Sequence, residues 1–218
     1  MKTTRQEYIK KLAELHSKVT EMGRDSAEAM KKAVKAMLES DAALAQEVID
    51  GDEHIDHALG NIEDRCLLLI AKQQPIAHDL RAIYTGYKVA SDLERIADLS
   101  VDIANTVLKV KVPLDAKRLE AVRDFAHCVY GILDMSMAAY ELSDVAKADE
   151  VRKMRADMGK VFEDTFYTFS DFVADEAARE REEGVTRLLF LSRYLERIGD
   201  HAVNIAEDVI YIETAERV

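Results

Sequence analysis

Tryptophan is absent from this chain of 218 residues, proline occurs twice, cysteine twice and glycine 8 times. Strand-rich folds need turn residues about every eight to twelve positions, and so few breakers exclude a sandwich or barrel. Cys66 and Cys128 have neither motif spacing nor flanking ligands, so both read as small buried apolar side chains in a reducing compartment. No stretch approaches the ~20 uncharged residues of a membrane span. The longest apolar run, Cys66 to Ala71, is far shorter, and Met1 to Lys11 is charged throughout, unlike a signal peptide. These absences predict a soluble, cytoplasmic protein that touches a membrane only through a complex. Basic residues are also scarce: 30 Lys and Arg against 42 Asp and Glu leave a net charge of -12. That balance repels a nucleic-acid backbone and suits divalent cations or a basic protein surface. A Gly-rich phosphate loop and a Ser/His/Asp nucleophile order are both missing.

What is present is helix. Ala, Leu, Glu, Lys and Arg dominate, and they are strong helix formers. The patterning predicts six long helices, over about residues 4–39, 41–72, 77–109, 115–142, 144–178 and 185–213. Pro75 and Pro113 mark boundaries, because proline is poorly tolerated inside a helix. Ser40-Asp41, Ser143-Asp144 and Asp115 supply caps.

The halves repeat. The segment from Leu93 to Ala104 aligns with that from Leu195 to Ala206, with eight of twelve positions identical, the charged Glu, Arg and Asp among them. Short connections make successive helices antiparallel neighbours. The predicted fold is therefore all-α: two tandem, sequence-related three-helix bundles, over residues 1–112 and 113–218.

The repeated segment carries carboxylates. Glu94, Asp98 and Asp102 recur at every fourth position, and so step along one side of the third helix beside its apolar sector. Asp52 and Asp56 do the same on the second helix, with Glu63 near their line. Asp56 and Glu94 each lie 19 residues from Pro75, while Asp52 and Asp98 each lie 23 from it. In an antiparallel pair, equal separation from the turn means similar height, so two carboxylate pairs face each other. Like charges at that range repel unless a cation or protons intervene, and a hard divalent or ferric ion suits oxygen ligands. In the second half Asp157, Glu196 and Asp200 remain, with Asn204 in the place of Asp102. Val161 stands where a fourth carboxylate would, which predicts a smaller second site.

Competing readings are a metal-free scaffold, with Arg95 and Arg197 neutralising the stripes, and a di-metal carboxylate enzyme. The enzyme is disfavoured because Ala97 and Gly199, not His, follow Glu94 and Glu196 at the third residue. His54, His57 and His201 read as polar surface near the stripes, and the tyrosines and phenylalanines as core and rim.

The run Gln73-Gln74-Pro75-Ile76-Ala77-His78-Asp79-Leu80-Arg81, followed by Leu93-Glu94-Arg95-Ile96-Ala97-Asp98 and Leu195-Glu196-Arg197-Ile198-Gly199-Asp200, resembles the PhoU family in order, spacing and overall length. The resemblance implies two three-helix bundles, commonly as a homodimer. It also implies a non-enzymatic cytoplasmic regulator beside the phosphate ABC transporter and its sensor histidine kinase, which restrains uptake and represses the starvation response when phosphate is plentiful. Acidic pairs in that family bind iron, zinc, magnesium or manganese. The matching positions here are Asp52, Asp56, Glu94, Asp98, Asp102, Asp157, Glu196 and Asp200. Ala97 replaces a glycine frequent in the family, and Gly199 keeps it.

Overall fold

The computed structural model describes residues 2–110, 114–174 and 187–218. Among these described residues six α-helices follow one another: α1 Lys2–Glu39, α2 Ala42–Gln73, α3 Ala77–Lys109, α4 Ala116–Leu142, α5 Val145–Ala174 and α6 Arg187–Thr214. Pro113, the expected boundary between residues 112 and 113, and the expected end of the fifth helix and start of the sixth lie outside the described residues. Among the described residues no helix is long and apolar enough to cross a membrane.

The two halves turn their first corner by the same chemistry. Ser40 ends α1 and Ser143 ends α4, both in the left-handed region with φ 54° and 52°. The next residue then caps the following helix. Asp41 accepts from the backbone N–H groups of Ala43 and Leu44, each at 3.0 Å, and Asp144 accepts from that of Lys147 at 3.1 Å. Asp115 likewise caps α4, accepting from the Arg118 N–H at 3.0 Å. These bonds satisfy donors that a helix leaves without partners. At the other corner of the first half Gln74 turns left-handed and donates its N–H to the Ile70 carbonyl. Pro75, with no N–H to give, stops α2 there.

Within each half the three helices pack on one another, and across the halves α1 lies on α4 and α3 on α6. Both cross-half pairs are antiparallel. Moving up α3, Arg81 donates to the Ile212 carbonyl at 3.0 Å, Lys88 meets Asp208 at 2.5 Å, and Asp92 meets His201 at 2.7 Å. On the other pair, the His16 and Tyr140 rings stack at 4.8 Å, and Tyr130 donates to the Met30 carbonyl at 3.4 Å. Each seam therefore joins a helix to its own counterpart in the other repeat, as in a two-fold dimer.

One hydrophobic core runs through both bundles, including Met22, Met30, Leu93, Ile96, Phe125, Leu133, Phe169 and Ile198. Gly199 is buried beside it, and a methyl there would overlap the Met158 thioether of α5. The aromatic residues divide more sharply than expected from sequence. Tyr140 is buried, but Tyr84 and Tyr167 stand largely in solvent.

Candidate metal centre

Asp52 and Asp56 sit one turn apart on α2, and Asp98 on α3 faces them. One carboxylate oxygen from each of the three lies within 4.8 Å of the others. The apolar stripe of α2, through Ile55, Ile62 and Leu69, is buried, which fixes the helix's rotation and leaves the two aspartates on the edge beside α3. Asp52 and Asp98 are half-buried and Asp56 is exposed.

Crowding shows in proton affinity. Partial burial, then the charges of Asp56 and Asp98, push the Asp52 carboxyl up to about 6. Glu94 is raised by burial and by Asp98, with Arg95 pulling the other way. Asp102 is raised by burial and Asp98, and relieved in part by Arg197 and Lys109. All three shifts run in the direction expected of carboxylates short of positive charge.

Arginine supplies some of that charge. Arg95 reaches Asp98 at 2.7 Å and Glu94 at 3.3 Å. It does not complete the neutralisation, since among the described residues no ion pair reaches Asp52 or Asp56. The three converging groups are all carboxylates, a set of hard oxygen donors that fits a hard cation.

The second half is built differently. Asp200 is engaged by Arg155 of α5 at 3.0 Å, Glu196 by Arg193 one turn earlier on α6, and Asp157 by Lys160 at 2.9 Å with both side chains in solvent. Among the described residues these three carboxylates form no converging set. Asn204 turns away to donate to Asp92 at 3.3 Å. The expected symmetry about the α5–α6 connection thus brings a guanidinium, not a carboxylate, up to Asp200.

The histidines stand apart from the stripe. His54 faces Asp25 of α1 at 3.5 Å, His57 faces Glu53 at 3.6 Å, and His201 is taken by Asp92.

The sequence profile described as the PhoU domain matches residues 19–107 and again residues 122–209. The chain belongs to the PhoU family. The "Phosphate-specific transport system accessory protein PhoU homolog" of Clostridium acetobutylicum is 32% identical over 216 residues, covering 99% of this chain and 98% of its own. The homolog of Rhizobium meliloti is 31% identical over 208 residues, covering 95% and 87%. Among solved structures, "PhoU from Pseudomonas aeruginosa" superposes with a TM-score of 0.87 at 28% identity, covering 96% of this chain and 100% of that one. The "phosphate transport system regulatory protein PhoU from Streptococcus pneumoniae" gives 0.85 at 26% identity, covering 97% and 99%.

Other residues of this PhoU-family chain have positions that sequence reasoning missed. Arg81, in the motif that follows Pro75, binds the last turn of α6 through the Ile212 carbonyl, and its neighbour His78 reaches Glu213 at 3.4 Å. Asp79 accepts from the Tyr8 hydroxyl at 3.2 Å. The motif's polar side chains therefore tie the start of α3 to α1 and to the other half. The one sequence signal was their density directly after the proline, in what would otherwise be a plain helix start.

Proposed function

We propose that this protein is a non-enzymatic regulator of phosphate uptake and of the phosphate-starvation response. It acts in the cytoplasm as a homodimer, through contacts with a phosphate ABC transporter and its sensor histidine kinase. It binds metal on the α2–α3 stripe. The names of the relatives support the regulatory reading, since they call those proteins accessory or regulatory to phosphate transport. The observation that carries the metal reading is the convergence of Asp52, Asp56 and Asp98 with too little arginine to balance them.

In this reading Asp52, Asp56 and Asp98 hold the ion, and Glu94 and Asp102 extend the site along α3. A divalent or ferric ion held there, drawn from iron, magnesium, manganese or zinc, would offset the repulsion between the carboxylates of the two helices. Zinc gains no special preference, for no His or Cys joins the set. The second repeat, through Asp157, Glu196 and Asp200, contributes a smaller site, because Arg155, Arg193 and Lys160 already supply cations there. The two repeats meet at the boundary between residues 112 and 113, as residues 1–112 and 113–218.

Elemental analysis of protein purified without chelator tests the metal. The expected result is bound metal in the wild type and none on the first stripe in the Asp52→Asn, Asp98→Asn double variant. Equal metal content in both would remove the site. A deletion strain tests the regulation: starvation genes should be expressed at high phosphate, and unchanged expression would count against the role.

A further inference from the structure

The last turns of α2 carry the longest apolar run of the chain, Cys66 to Ala71, and that run goes right round the helix. Cys66 and Leu69 are buried, and the Cys66 thiol donates to the Ile83 carbonyl of α3 at 3.4 Å. Leu67 and Leu68 are 59% and 50% exposed, and Ile70 and Ala71 are exposed beside them. A helix that is apolar on every side is normally covered on every side, yet among the described residues α2 packs only on α1 and α3. Ile70 and Leu80 each lie five residues from Pro75, so the bare apolar surface continues on to α3. Such a patch, rimmed by polar groups, marks an interaction site.

The charges on its rim point to the occupant. Asp64 and Lys72 each lie four residues from Leu68, on opposite sides of it. Both are exposed, and among the described residues neither has an ion pair. We propose that a second copy of the chain covers this face, with the two α2 helices antiparallel about a two-fold axis at Leu68. This rests on the homodimer of the proposed function and gives it an interface. The axis sets Asp64 level with the partner subunit's Lys72 and Lys72 level with the partner subunit's Asp64, so the two lone charges form two ion pairs across the dimer. A two-fold interface has to be complementary to itself in this way, whereas an unrelated protein imposes no such match. The surface also has room for its copy. A hollow of about 150 Å³ between α1 and α2, lined by Lys11, Arg65, Leu68, Leu69 and Lys72, is large enough for a benzene-sized group and so for an aliphatic side chain such as the partner subunit's Leu67. One turn below Asp64, Gly60 presents bare backbone, and a methyl added there would meet nothing within 4 Å.

Sedimentation velocity on the full chain, run in chelator so that no metal-linked association is read, tests the face. At micromolar concentration the wild type should be a dimer. Leu68→Glu, which puts charge on the axis, should raise the dissociation constant at least about a hundredfold with the helical circular dichroism unchanged. Lys72→Glu and Asp64→Lys should each raise it about tenfold, since each sets like charges level with one another twice. The double variant Asp64→Lys, Lys72→Glu should return it to within a few-fold of the wild type. A dimer that Leu68→Glu leaves intact, single swaps that cost nothing, or losses that the double variant does not restore would overturn the interface and leave the homodimer standing. A monomeric wild type would overturn both, and would leave the patch to a different protein.

Discussion

Asp52 is the residue at which charge and burial collide. Its carboxyl is raised to about 6, against a usual carboxylate value near 4. Between those values the native metal-free protein holds more protons than the unfolded chain. Stability therefore falls as pH rises through the window from about 4 to about 6, and the loss is complete above it. Thermal melts in chelator across that range should show the decline. Asp52→Asn should flatten it and raise the melting temperature of the metal-free protein at neutral pH. The gain should stay below about 1 kcal/mol, because the side chain is partly solvated and its repulsions are screened. With metal present the order should reverse. An ion at a hundred times its Kd stabilises the native state by about 2.7 kcal/mol, and the variant forfeits that. A wild-type melting temperature indifferent to both chelator and metal would contradict the site.

At the scale of the helix, the corners make the clearest predictions. Ser40 and Ser143 pay for left-handed backbone that glycine adopts freely, so Ser143→Gly should stabilise by up to about 1 kcal/mol in urea titrations. Asp41→Ala should cost about 1 kcal/mol by the same measurement, since it orphans the Ala43 and Leu44 N–H groups. These corners were legible in the sequence because a cap is a local device, written in adjacent residues. The first stripe was legible for a related reason: a short turn at Pro75 fixes the register of α2 on α3, so equal separation became equal height. The second stripe had no such ruler. No proline marks a corner between α5 and α6, and nothing in the periodicity of α5 said that Arg155 would reach Asp200. The seams were not legible at all. His16 on Tyr140 and Asp92 on His201 join residues more than a hundred positions apart, across a fold whose halves read in sequence as separate beads.

For the whole molecule, those seams decide cooperativity. The core is continuous from Leu15 to Ile212, and removing either repeat would strip α3 or α6 of an antiparallel partner along its length. The full chain should therefore unfold in one transition, with far-UV circular dichroism and tyrosine fluorescence coincident in urea. Two separated transitions would show that the repeats are independent domains joined by a weak interface.

The pairing of each helix with its own counterpart has a further consequence. A true homodimer must repeat every ligand and every flaw on both of its subunits. Here the same near-symmetric shape is covalent, so each copy mutates alone. Arg155, Arg193 and Lys160 meet the acidic edge of the second copy, while Asp52 and Asp56 of the first have no ion pair among the described residues, a divergence that a dimer of identical chains could not hold.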